Sequence, residues 1–186
     1  IAKLLKAGRT VALCEQVEDP KLSKSLVRRE VVRLYTPGTL VDTEFLSPGE
    51  SYFLAAVAFS DVMAPSLKRG PIAGLACLDV STGEFWVTEF EGDGAGIQLM
   101  DELARLEPRE VLHPDSDTNA ISCLTRLSGA RLCAKPSAFF NPKEAARLLQ
   151  AQFAVHSLEG FGCRGLTVGI GSAGAVLRYF RETQPS

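Results

Sequence analysis

The chain has 186 residues, 46% of them hydrophobic and 23% charged, which excludes a disordered, collagen-like or disulfide-scaffold protein. No apolar run approaches the roughly 18 to 20 residues that a membrane-spanning helix needs. The net charge of −2 conceals a division: residues 1–40 carry eight Lys/Arg against four Asp/Glu, and the rest carries twelve against eighteen. The start alone has the balance to meet a polyanion.

In chain order, residues 1–8 read as the tail of a helix, with no initiator Met ahead of it, and the expectation is a piece of a larger protein. Strand signals follow at residues 10–15 and 29–35, separated by a polar loop through Asp19 and Pro20. Alternation in the second strand puts Arg29 and Arg33 on one face, with Arg28 at its edge. These elements are too short to close a core of their own. Thr36-Pro37-Gly38-Thr39 is a turn signal in which Pro presets the first corner and Gly is expected at positive φ. From there to Ser47-Pro48-Gly49-Glu50 the chain reads as a linker. The expected division is residues 1–40, a linker over 41–47, and a body over 48–184.

The body opens with three strands. Residues 52–59 form a nearly continuous apolar run, as in a strand covered on both faces. Residues 72–80 form another, and residues 84–90 follow after Ser81-Thr82-Gly83. The short Gly-containing connection predicts an antiparallel hairpin, and residues 61–70 read as an exposed loop. In the third strand Phe85, Val87 and Glu89 point one way and Trp86, Thr88 and Phe90 the other.

The period then becomes helical. Ile97, Met100, Leu103, Ala104 and Leu106 are the expected apolar stripe, and Pro108 ends the helix. Residues 110–113 predict a short strand. Asp117 predicts the cap of a helix carrying Ile121, Leu124 and Leu127, and residues 130–133 a further strand. Asn141-Pro142-Lys143-Glu144 has a capping residue, Pro at the first helical position and Glu to close a capping box. A last helix is expected over residues 172–183. Three antiparallel strands followed by helix, strand, helix, strand, helix, helix predict an α/β fold with a mixed sheet. Ribonuclease-H-like domains have this order.

That order raises one enzyme alternative, metal-dependent phosphodiester cleavage, which needs carboxylates converging on metal ions. The first body strand offers Leu54-Ala55-Ala56-Val57 and no acid; Asp79, Asp101, Glu102 and Asp115 lie elsewhere. Gly169-Ile170-Gly171-Ser172-Ala173-Gly174 has dinucleotide-site spacing, but the acidic residue that such a site needs about 20 positions later would fall past Ser186, and close helix packing is the expected role. The five cysteines are odd in number with no Cys-x-x-Cys pair, so buried reduced thiols are expected rather than a metal site. His113 and His156 read as structural or solvated. The basic residues Lys21, Lys24, Arg28, Arg29 and Arg33 could neutralise phosphates, each contact adding about −0.9 to the salt slope. With no aromatic or amide side chain among them, they would position rather than specify.

At these residues the sequence closely resembles the MutS family of bacterial DNA mismatch-repair proteins. The resemblance is carried by Ile1-Ala2-Lys3-Leu4-Leu5, Val11-Ala12-Leu13-Cys14-Glu15-Gln16-Val17-Glu18-Asp19-Pro20, Arg29-Glu30-Val31-Val32-Arg33 and Thr36-Pro37-Gly38-Thr39-Leu40. It continues through Leu54-Ala55-Ala56-Val57, Leu78-Asp79-Val80-Ser81-Thr82-Gly83-Glu84-Phe85, Leu106-Glu107-Pro108-Arg109-Glu110-Val111-Leu112 and Gly160-Phe161-Gly162.

The resemblance implies that residues 1–40 end a partial α+β mismatch-recognition domain. Residues 48–184 would be a connector domain, ribonuclease-H-like but without the nuclease acids. The family's Phe-x-Glu mismatch wedge lies ahead of the first residue here. Lys24 and Arg29 match basic positions near the DNA backbone, with Arg28 beside them; Ser25 and Arg28 stand where many members have Gly and an acid. The resemblance further implies a non-catalytic module with no cofactor of its own, ATP and magnesium belonging to the full-length parent. The implied partners are mismatched duplex DNA, MutL and the rest of a MutS dimer, in the bacterial cytoplasm and without a membrane. The family connector offers surface to MutL, and residues 61–70 are candidates by position.

Overall fold

Both faces of the apolar run after residue 52 are covered, and that sets the architecture. The computed structural model describes residues 1–18, 26–40, 52–60, 70–127 and 129–184. Lys21, Lys24, Ser25, the expected linker over 41–47 and the loop over 61–69 lie outside the described residues. Among the described residues seven strands and five α-helices follow in order: α1 (Ala2–Lys6), β1 (Val11–Gln16), β2 (Arg29–Tyr35), β3 (Phe53–Ser60), β4 (Ile72–Asp79), β5 (Phe85–Glu91), α2 (Ala95–Leu106), β6 (Glu110–Pro114), α3 (Thr118–Leu124), β7 (Arg131–Lys135), α4 (Pro142–Phe153) and α5 (Val168–Thr183).

β1 and β2 form a two-stranded antiparallel sheet, and the other five strands form one mixed sheet in the order β5-β4-β3-β6-β7. β3, β4 and β5 are antiparallel neighbours, whereas β6 and β7 run parallel to β3 and to each other. The sheet is sandwiched. On one face Leu54, Ala56 and Ala76 pack with α4 and α5 residues such as Leu149, Ile170 and Val176. On the other, Ala55, Val57, Leu75 and Cys77 pack with Leu99 and Leu103 of α2 and Leu124 of α3. Successive strand residues alternate between two cores, which is why the run shows no polar face. Among the described residues no helix is long and apolar enough to cross a membrane.

Some local expectations hold and others are corrected. On α2 the buried residues are Ala95, Leu99, Leu103 and Leu106, so Leu103 and Leu106 of the expected stripe turn inward, whereas Ile97 is 70% exposed and Ala104 is exposed. Asp117 caps α3 through Ala120 N and also accepts from Phe59 N at the end of β3. Ile121 of α3 is exposed, Ala120 and Leu124 being its buried residues. Asn141 accepts from Lys143 N and Glu144 N, but the return half of the capping box is replaced: the Glu144 carboxylate pairs with Arg178 of α5. α5 begins at Val168, four residues early, so the glycine motif lies inside its first turns. There the glycines serve packing. A Cβ at Gly171 would sit 2.3 Å from the Phe140 carbonyl, and one at Gly174 would sit 2.3 Å from Ala145 Cβ. Of the five free cysteines, Cys77 is buried, Cys14 is exposed and the others are intermediate.

Candidate nucleic-acid interface

The β1–β2 hairpin has one basic end and one rooted end. Its outermost pair is Gln16 with Arg29, and its innermost is Val11 with Tyr35. At about 3.3 Å per residue the six-residue β1 makes an arm of about 20 Å. Arg28 and Arg29 stand at the outer end, both exposed. Arg28 forms an ion pair with Glu30, and its backbone N–H donates to Glu18 Oε2 at 3.3 Å. The Arg29 side chain has no partner among the described residues. An exposed guanidinium of this kind suits a phosphate, which accepts its forked N–H donors.

The expected pairing of Arg29 and Arg33 on one face is overturned. The register shifts between Leu13 and Cys14: Leu13 faces Arg33, whereas Cys14 faces Val31, leaving Val32 as the extra residue of a β-bulge. Gln16 and Leu13, the partners of Arg29 and Arg33, are three residues apart and point to opposite sides. Arg33 therefore lies over the Tyr35 ring, 5.4 Å from its centroid, and its Nη1 donates to the Tyr35 hydroxyl at 3.4 Å. It belongs to the root, not to the basic end. A bulge is hard to read from a single strand's alternation, because it appears only in the count against the partner.

The root is a small cluster of Leu5, Tyr35, Leu40 and Tyr52, with Val11 and Leu13 against it. Beyond Tyr35, residues 36–39 make a buried turn. Thr39 N donates to Thr36 O at 3.3 Å, and the two threonine hydroxyls are 2.7 Å apart. Gly38 is not at positive φ, contrary to expectation. Its lack of a side chain is needed for close approach instead: a Cβ would lie 2.6 Å from Glu110 Cβ and 3.1 Å from Leu54 Cδ1. The backbone N–H of Gly38 donates to Glu110 Oε2 at 3.2 Å, and the Gln184 side-chain amide donates to Thr39 O.

Glu110 was legible only as the first residue of a short strand. It is fully buried, and its Oε1 accepts from Arg131 Nη1 at 2.7 Å and from the Tyr179 hydroxyl at 2.8 Å. Burial and then the Glu110 charge push the Tyr179 hydroxyl far above its ordinary value, which keeps it a donor. An acid opening an otherwise apolar strand, with Arg opening the next, was the available signal.

Of the carboxylates considered for cleavage, Asp79 accepts from Ser81 N at 2.9 Å and from Ser81 Oγ at 2.6 Å. Glu102 is paired with Arg105, and Asp115 lies 3.4 Å from Ser137 Oγ. Among the described residues no group of three or more His, Cys, Asp or Glu could hold a metal ion. His113 is buried with Nδ1 at 3.0 Å from Pro114 O, and His156 is exposed.

Comparison with known proteins gives a consistent result. The family model described as MutS domain II matches residues 52–186, and that of MutS domain I matches residues 1–44. The chain is 44% identical to the DNA mismatch repair protein MutS of Syntrophobacter fumaroxidans over 97% of its own length and 19% of the relative's. It is 42% identical to that of Myxococcus xanthus over 99% of its length and 20% of the relative's. For Symbiobacterium thermophilum the figures are 40%, 98% and 20%. The chain thus spans about a fifth of the length of these curated relatives.

Proposed function

The chain belongs to the MutS family, within its domains I and II, and from that premise we propose that it works as a non-catalytic connector. It would carry a DNA-facing hairpin at one end and link mismatch recognition to the ATPase and clamp machinery of the full-length parent. The division proposed is residues 1–40 for the end of the recognition domain, 41–47 for the linker and 48–184 for the connector. Lys24, Arg28 and Arg29 would lie along the DNA backbone. ATP and magnesium would bind elsewhere in the parent, whose partners would be mismatched duplex, MutL and a second MutS subunit.

The observation that carries this reading is the hairpin itself: an exposed arginine end joined to a root built into a separately cored sheet. The finer fold reading, a ribonuclease-H-like connector, draws support from three antiparallel strands followed by two parallel ones in the order β5-β4-β3-β6-β7. In such a sheet the central strand β3, here Phe-Leu-Ala-Ala-Val-Ala-Phe-Ser, would carry a catalytic acid in a nuclease.

Two assays test the proposal. Titration of the purified chain against fluorescently labelled MutL at two salt concentrations is expected to give saturable binding; no binding would remove MutL from the partners of this surface. Incubation with labelled duplex and magnesium is expected to leave the DNA intact. Cleavage abolished by Asp79→Asn would overturn the non-catalytic reading.

A further inference from the structure

Glu110 is 0% exposed, and a carboxylate so far from water needs donors to offset its lost hydration. It has three, each from a different element: Gly38 N–H on the turn that roots the hairpin, Arg131 at the start of β7, and Tyr179 on α5. An apolar residue of similar volume would fill the same space, but it would leave the Arg131 guanidinium and the buried Tyr179 hydroxyl without this acceptor. Of the three bonds the acceptor supplies, the one to Gly38 is the one that reaches the turn at the root of the hairpin. The same turn is held from the other side by Gln184, just past the end of α5.

We infer that Glu110 is a positioning residue that fixes the angle of the β1–β2 arm against the sheet. A displacement at the arginine end then reaches β6 and α5 instead of being absorbed in the turn. The inference rests on the connector reading above and names the joint that such a connector needs.

Amide hydrogen exchange on the whole 186-residue chain tests it. In Glu110→Leu, which keeps the packing volume, protection at Gly38 and across β1–β2 is expected to fall roughly ten- to a hundredfold, as when a charge-assisted hydrogen bond stops holding a turn. The β3 and β4 amides are expected to keep theirs. Unchanged hairpin protection, or a parallel loss across β3 and β4, would overturn the inference, since the second is what a merely structural core residue gives. Should Glu110→Leu not fold, Gly38→Ala decides from the turn side, because its Cβ would meet Glu110 Cβ at 2.6 Å; the same split is expected, and the same two outcomes refute it. A joint that loosens while the full-length parent still responds normally to mismatched DNA would leave the joint standing and remove the connector reading instead.

Discussion

Asp79 closes the β4–β5 turn with its side chain. Burial pushes its carboxyl up, but hydrogen bonds from the Ser81 hydroxyl and backbone, the Thr82 hydroxyl and the Tyr52 backbone outweigh it, and the net position is below the ordinary value. A depressed folded-state pKa gives stability that is present above the unfolded value and lost as pH falls through the folded one. Asp79→Ala is therefore expected to cost about 1–3 kcal/mol at neutral pH in urea unfolding. The gap to wild type should close as the pH drops below about 4; a gap constant through the acid range would refute this account. Cys77 makes a second prediction at this scale. Burial, with the Asp79 charge adding to it, pushes its thiol up to about 12, whereas Cys14 is exposed. Iodoacetamide should modify Cys14 in the native protein and reach Cys77 only on unfolding; equal rates would contradict the core described here. Residue composition predicted buried thiols for the set, but burial depends on register. Cys14 stands on the outer face of the hairpin, which no residue pattern within β1 reveals.

At the scale of elements, α5 owes its place to residues with no side chain. Ala normally exceeds Gly in a helix interior by about 1 kcal/mol. Gly171→Ala and Gly174→Ala are nevertheless expected to destabilise by about 1–3 kcal/mol through overpacking, since their Cβ atoms would meet the Phe140 carbonyl and Ala145 Cβ. Gly160→Ala, with nothing within 4 Å of the new Cβ, should stay within about 0.5 kcal/mol of wild type. Thermal melts of the three variants check this, and a stabilised Gly174→Ala would count against the helix contact. The start of α5 has no cap of its own; Glu89 of β5 reaches across, its Oε1 accepting from Thr167 N at 2.7 Å and Gly169 N at 2.8 Å. Strands and helices were largely legible in chain order, because apolar runs and cap residues are local. Which helix face turns inward was not: on α2 and α3 it is set by packing against the sheet, where Leu99, Leu103, Ala120 and Leu124 meet Ala55, Val57 and Leu75, and a cap supplied from β5 leaves no mark beside the helix.

Across the whole molecule, charge and attachment are placed at opposite ends of the hairpin. Binding to labelled duplex should therefore respond unevenly to three arginines. Arg29→Ala is expected to lower the salt slope by about 0.9, the worth of one phosphate contact. Arg28→Ala should lower it less, because Glu30 already pairs with that guanidinium. Arg33→Ala should leave it unchanged, since Arg33 lies over Tyr35 at the root. Equal effects from all three would mean a diffuse field rather than a defined end. The basic character of this segment was evident in the sequence, but its split into a contacting end and a root came from the bulge at Val32. The joint at Glu110 was hidden for a different reason: its partners are 72, 21 and 69 residues away, and no local pattern encodes such a meeting. The most direct measurement is ATP turnover by the full-length parent carrying Glu110→Leu, with and without mismatched duplex. The connector account predicts unchanged turnover without DNA, retained duplex affinity and loss of the change that a mismatch produces. An unaltered mismatch response, with the hairpin shown by exchange to be loosened, would contradict it.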